Sequence, residues 1–263
     1  EEDYSDDYFE DHYGVEKKDV IVYKGDAETY ECGYKLDEGD LPEGVADEGY
    51  YYQDLVTFGE SHATLEKAED FEAFSQLVDV QSVMDYFAAE VWINNKWDWP
   101  GKNWSMWKTV NTADGNEYAD GRWRFCFYDM EFGGVSGAGD ARTNTIKEDN
   151  YKPLGLLDMN TDNPAVLCFA YLMTNEQFRT EYLEKIGSLS QGVFEEEHTL
   201  AVLEQFEGIY GPLFDQFYQR YPGAGTTENA LHGGYASSDC IRGFVEQRAD
   251  HIQSMIDWVN TQY

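Results

Sequence analysis

The sequence predicts an α+β fold, mostly helical, with a central β-hairpin and a helical bundle. Three observations carry this. Apolar residues at helical spacing run from Pro164 almost to the C terminus. A second helical pattern covers residues 79–95. Between the two lie strand-like runs, WSMWKTV and RWRFCFYDM, joined by a polar turn that contains Asp-Gly. The chain has 263 residues, 42% of them hydrophobic and 16% aromatic, which suffices for a sizeable core in one large domain or two small ones.

The elements follow in order. Residues 1–12, EEDYSDDYFEDH, carry seven acidic side chains and read as an acidic tail or linker. DVIVYKG reads as a short strand ending in a Lys-Gly turn, and the Gly- and acid-rich GYKLDEGDLPEGVADEGYYYQ as loop. GESHATLEKAEDFEAFSQLVD reads as one helix with Leu65, Phe71, Phe74, Leu77 and Val78 on its apolar side. In DVQSVMDYFAAEVWINN, Val83, Phe87 and Val91 recur every four residues, and Asp79 stands ready to cap the helix. KWDWPGKN is a loop leading into the hairpin. Residues 137–163 are rich in Gly, Asp and Asn and read as a long mobile loop. Four further helical segments begin at Pro164, Asn175, Glu196 and Ser237.

Charge excludes one class of partner. Fifty-two acidic residues against 18 basic ones give a formal net charge of −34, which repels nucleic acid and favours cations. No apolar run is long enough for a membrane span, and no positive-then-apolar pattern of a signal peptide is visible in the first residues, which is also what removal of such a peptide or a start inside a longer protein would give. The cysteines, Cys32, Cys126, Cys168 and Cys240, show no zinc spacing, and Cys126 and Cys168 sit in apolar runs as buried thiols would. The five histidines show no metal spacing either.

The chemistry concentrates in residues 94–133. A helix delivers the chain to a loop with Asp98 and, five residues on, Asn103. After the hairpin, Asp129 sits in YDMEFGG. That order suits phosphoryl transfer: a loop Asp accepts the substrate's hydroxyl proton, an Asn five residues later holds a metal, and an Asp at a Gly-rich strand end holds the metals on the nucleotide phosphates. The bland alternative has Asp98 and Asn103 capping a turn and Asp129 ending a strand. Trp97, Trp99, Trp104 and Trp107 crowd one stretch, either as a sugar-stacking platform or as packing for the loop and hairpin. Asp98, Asp129 and Glu131 would also serve a glycosidase, which leaves the Asn103 spacing unexplained. Lys102 and Lys108 are the cations that would meet phosphate there. Arg142, Lys147 and Lys152 would form an element like an activation segment.

From about Tyr13 onward the chain resembles the CotH kinase family, the spore coat protein H-like secretion kinases. The resemblance rests on HYGVEKKDVIVYKG, DVQSVMDYFAAEVWINNKWDWPGKN, GRWRFCFYDMEFGG and NPAVLCFAYLMTNEQFRTEYLEKI. It implies, for residues 13–263, the C-terminal catalytic lobe of an atypical protein kinase. By the resemblance Asp98 is catalytic, Asn103 and Asp129 bind the cofactor ATP with Mg²⁺ or Mn²⁺, and Glu131 is a further metal ligand in place of the family's second Asp. The family's R-x-G-N-S-type segment and phosphate-contacting Lys have no counterpart here, so the upstream nucleotide-binding lobe is expected to be absent from this chain. The implied activity is transfer of the ATP γ-phosphoryl group to Ser or Thr of secreted or surface proteins, in an extracellular, cell-surface or spore-coat location. The alternative is a non-catalytic binding or scaffold module beside other modules of the same polypeptide, as in cellulosomal proteins, or a carbohydrate-active domain.

Overall fold

A computed structural model describes residues 3–25, 34–95, 99–135, 137–147, 155–234 and 236–263. The helices are α1 (Asp6–Tyr13), α2 (Gln53–Ser61), α3 (Ala68–Phe74), α4 (Val80–Ile93), α5 (Ala138–Ala141), α6 (Pro164–Thr174), α7 (Glu176–Leu189), α8 (Glu196–Arg220), α9 (Thr227–His232) and α10 (Ser238–Val259). The strands are β1 (Val20–Gly25), β2 (Tyr34–Glu38), β3 (Ser105–Thr109) and β4 (Arg124–Cys126). The fold is α+β and mostly helical, and the chain divides into two compact units.

The first unit comprises Glu1–Phe87, Asp98–Met130 and Leu156–Thr180. It holds one antiparallel sheet of order β2-β1-β3-β4. The expected hairpin of β3 and β4 is present, with Ser105 opposite Cys126 and Trp107 opposite Arg124. β4 continues into the start of α4: Asp79 N donates to Trp123 O, Trp123 N donates to Leu77 O, and Phe125 N donates to Ser82 Oγ at 2.8 Å. Asp79 caps α4 as its position predicts, accepting from Ser82 N at 3.0 Å. The same carboxylate meets Arg124 at 3.1 Å and Arg122 at 3.4 Å, so one residue starts the helix and anchors the strand.

Three expectations are corrected in this unit. The acidic start is not a loose tail over its length, because Asp6–Tyr13 form α1. Phe9, fully buried, lies 4.5 Å from the Trp107 ring in a core with Val15, Val20 and Val22. Tyr4, Tyr8 and Tyr13 pack against that core, and aromatic spacing outweighs acidity in deciding the conformation. The segment read as loop contains β2, an edge strand whose residues are all half-buried, so its ladder with β1 forms without an apolar face. The single helix expected across residues 59–79 is two, α2 and α3. Leu65 between them is buried outside any helix, its N–H donating to Thr174 Oγ1 and its carbonyl accepting from Asn175.

The second unit comprises Ala88–Trp97, Glu131–Gly155 and Glu181–Tyr263. It is helical, with α10 packed on α5, α8 and α9. Trp92 stacks on Phe194 at 4.3 Å and donates its indole N–H to Ser190. Where a mobile loop was expected from residue 137, the described part is ordered into α5, a turn burying Thr145 and Ile146, and in the first unit a 3₁₀ turn at Gly155–Leu157 that buries Leu156. Arg248 holds the stretch from Ala141 to Thr145. Fully buried, it donates to the carbonyls of Val91, Trp92, Ala141 and Thr143 and to Thr145 Oγ1, at 2.6–3.0 Å. Burial depresses its pKa to about 10, against the opposing pull of Asp140. No described helix is long and apolar enough to cross a membrane.

Candidate phosphoryl-transfer site

The loop into β3 is built by packing. Trp99 is buried and donates its indole N–H to Tyr86 Oη at 2.9 Å. Asn163 holds the next residue, its Nδ2 donating to Pro100 O at 2.6 Å. Its Oδ1 accepts from Ala165 and Val166 N–H and so caps α6. One amide therefore joins the loop to the start of a buried helix. Trp104, fully buried, presses on the end of β1: a Cβ at Gly25 would stand 2.6 Å from its indole nitrogen and 2.9 Å from Lys102 Cα. Gly25 is required there by space.

The register then fixes where the expected site residues leave the sheet. Ser105 pairs with Cys126 and also with Lys24. Asn103 lies two residues before Ser105, and Asp129 three after Cys126, so both emerge from one end of the β3–β4 pair. Both adopt the left-handed backbone, Asn103 with φ 60° and Asp129 with φ 53°. Asn and Asp enter that region more readily than other residues with a Cβ, and such strain collects at functional positions. It is not confined to this site: Asn94, at φ 56°, is held in the second unit by Thr145, whose hydroxyl donates to Asn94 Oδ1.

Asn103 is only 6% exposed, and its Nδ2 has no hydrogen-bond partner among the described residues. An unsatisfied buried amide costs about 1–3 kcal/mol unless a ligand or water meets it. Asp129 is half-exposed, and Glu131 is exposed in the turn at 131–135. Asp98 lies outside the described residues, as do Cys32, Trp97 and Lys152. Among the described residues no group of three or more His, Cys, Asp or Glu is placed to hold a metal ion. The amide oxygen of Asn103 and the carboxylate of Asp129 are hard oxygen donors of the kind Mg²⁺ and Mn²⁺ take, and the unpartnered Asn103 Nδ2, a hydrogen-bond donor, fits an acceptor such as a phosphate oxygen.

Lys108 is not where it was expected. Lys108 is buried, paired with Asp54 at 3.0 Å, and lies 4.6 Å over the Trp123 ring. Opposite Ile21, it sits three residues along β3 from the pairing of Ser105 with Lys24, and its role is structural. The residue sequence reasoning missed is Lys24. At the site's end of β1, it lies 5.4 Å over the Tyr128 ring, next in sequence to Asp129, and pairs with Asp37 at 2.7 Å. Its only sequence signal was a Lys directly before a Gly at a strand end. In the second unit, Arg142 reaches Gln247 and Lys147 lies over Trp258. Trp99, Trp104 and Trp107 are all buried, so they pack the loop and hairpin and offer no face to a sugar. Cys126 and Cys168 are buried thiols as expected, and burial pushes Cys126 up to about 12.

The described site thus consists of an α+β unit in which Asn103 and Asp129, both in left-handed backbone, leave one end of the β3–β4 pair. The family model of the CotH kinase protein matches residues 1–260, nearly the whole chain, and the protein belongs to that family. Comparison with curated proteins gave no match.

Proposed function

We propose that this protein is an extracytoplasmic protein kinase that moves the γ-phosphoryl group of ATP to Ser or Thr hydroxyls of secreted or surface proteins, with a C-terminal-lobe-like catalytic domain. The observation that carries the reading is the common end of the β3–β4 pair from which Asn103 and Asp129 leave, both in left-handed backbone. Family membership supports it.

In this reading Asp98 accepts the proton of the attacking hydroxyl as the oxygen bonds to the γ-phosphorus and the bond to the leaving ADP oxygen breaks. Asn103 and Asp129 would hold Mg²⁺ or Mn²⁺, with Glu131 as a further ligand. The metal supplies charge neutralisation for the phosphates, which the surrounding charge of −34 otherwise repels. Lys24, over the Tyr128 ring next to Asp129 and paired with Asp37, would add positive charge at this end of the sheet. The packed Trp99, Pro100 and Trp104 hold the loop so that Asn103 is fixed before any ligand arrives.

The test combines binding and transfer. Mn²⁺ binding followed by electron paramagnetic resonance should show a tight site lost in Asp129→Asn and retained when Asp6 and Asp11 are neutralised. Transfer of label from γ-labelled ATP to a Ser-containing protein should vanish in Asp98→Ala with the melting temperature unchanged. Equal loss of Mn²⁺ in both charge variants, or transfer that survives Asp98→Ala, would reject the reading.

A further inference from the structure

The first unit contains a cavity of about 600 Å³ that neither Asn103 nor Asp129 lines. Such a volume lies within the usual range for ligand sites. Its floor is apolar and buried: Tyr52 and Leu55 from the α2 region, Pro164 and Tyr171 from α6. Tyr34 from β2 forms a wall. Its ring meets Tyr52 at 4.7 Å and 81°, so the two make the corner of a box and not a flat platform. Exposed carboxylates stand at the rim, Glu60 at the end of α2 and Asp162 just before α6.

The charge at that rim has no cation beside it among the described residues. None of the described lining residues is Lys, Arg or His. Elsewhere in the unit, cations sit on structural acids: Lys24 on Asp37, Lys108 on Asp54, Arg122 and Arg124 on Asp79 and Asp120, Lys67 on Asp70. Neither Glu60 nor Asp162 has an ion-pair partner among the described residues. An aromatic corner over an apolar floor, with unpaired carboxylates at the mouth, is matched by one ligand chemistry. An apolar stem lies against Tyr52, Leu55 and Tyr171, ring faces attract a positive charge, and the carboxylates receive its N–H groups. Phosphates and carboxylate ligands would meet repulsion from both rim and surface.

We infer that this cavity is a binding site for an organic cation on an apolar stem, an alkylammonium or alkylguanidinium group. That group comes either from the Lys or Arg side chain of a peptide or from a free polyamine. The site is independent of phosphoryl transfer, and its binding is measured without nucleotide or metal.

Calorimetry on the whole chain at 150 mM NaCl, which screens long-range attraction, tests it. The probes are N-acetyl-arginine amide, its neutral citrulline counterpart, spermidine and a neutral trisaccharide. Saturable one-to-one binding is expected for at least one cation, and the tighter of the two identifies the source. Glu60→Gln with Asp162→Asn should weaken it at least tenfold. Glu196→Gln with Glu197→Gln, which removes the same charge at the start of α8, should leave it unchanged. Val56→Trp, which fills the cavity and keeps every carboxylate, should abolish it, with circular dichroism confirming the fold. Equal losses in the two charge variants, citrulline binding as tightly as arginine, binding undiminished in Val56→Trp, or uptake of the trisaccharide in place of the cations would each overturn the inference.

Discussion

Arg248 donates its Nε–H to the main-chain carbonyl of Trp92 at 2.7 Å, from a position with no solvent exposure. Four further acceptors share the same guanidinium, so α10 organises the C-terminal turn of α4 and the segment around Thr145 in one step. Arg248→Met keeps the stem and removes every donor. It should destabilise the protein by about 3–5 kcal/mol, the cost of stranding a buried polar network. Arg248→Lys should recover only part of this, because an ammonium cannot reproduce the planar fork. Urea denaturation measures both, with the exposed Arg220→Met as a control expected within about 0.5 kcal/mol of wild type.

Asn163→Ala removes a helix cap and the tether to Pro100 together. Thermal melts should show a loss of about 1–2 kcal/mol from the cap. Tight Mn²⁺ binding should weaken by more than stability does, because the loop carrying Asn103 loses its anchor. Asn163→Asp separates the effects: it keeps the cap and cannot donate to Pro100.

Asp120 carries the clearest acid dependence. Burial opposes its ionisation, but hydrogen bonds and charge from Arg124 and Arg122 outweigh it and hold the carboxyl at about 2. A carboxyl depressed in the folded state adds stability above its ordinary range near 3.8, and that stability is lost as pH falls toward 2. Wild type should lose stability steeply between pH 4 and 2. Asp120→Asn should be weaker at pH 7 and flatter across that window, as acid titrations followed by near-ultraviolet dichroism will show. Parallel curves would mean the arginines are held by Asp79 alone.

Two left-handed residues invite a paired comparison. Asp129→Gly relieves backbone strain and should cost almost nothing in stability, within about 1 kcal/mol of wild type, while the tight Mn²⁺ site disappears. Asn94→Gly relieves the same strain yet strands the Thr145 hydroxyl, so it should destabilise without touching the metal. Opposite behaviour at two positions of like backbone would separate a functional strain from a structural one.

Much of this was legible in the sequence, and the failures have physical causes. Val83, Phe87 and Val91 announce α4 because one face of that helix is buried, and the cap at Asp79 follows from its place before the apolar run. The hairpin was legible from its Asp-Gly turn and β-branched and aromatic strands. β2 was not, because an edge strand with half-buried residues needs no apolar alternation. α1 was hidden by acids on its exposed face, although Phe9 and its tyrosine neighbours carried the core signal. The placement of Lys24 and Lys108 has a cause no linear pattern displays: it depends on Asp37, Tyr128, Asp54 and Trp123, which the fold brings from three separate segments. The cavity is likewise assembled from β2, the α2 region and the start of α6, far apart in the chain.

The two margins of the sheet are closed in different ways. β2 carries the charged residues Lys35, Asp37 and Glu38, with Asp37 paired onto Lys24 of β1, and β4 is three residues long with α4's first turn already bonded to it. An incoming strand would meet charge at one border and an occupied backbone at the other. On the β4 side, cross-β addition would first have to displace the hydrogen bonds from the start of α4.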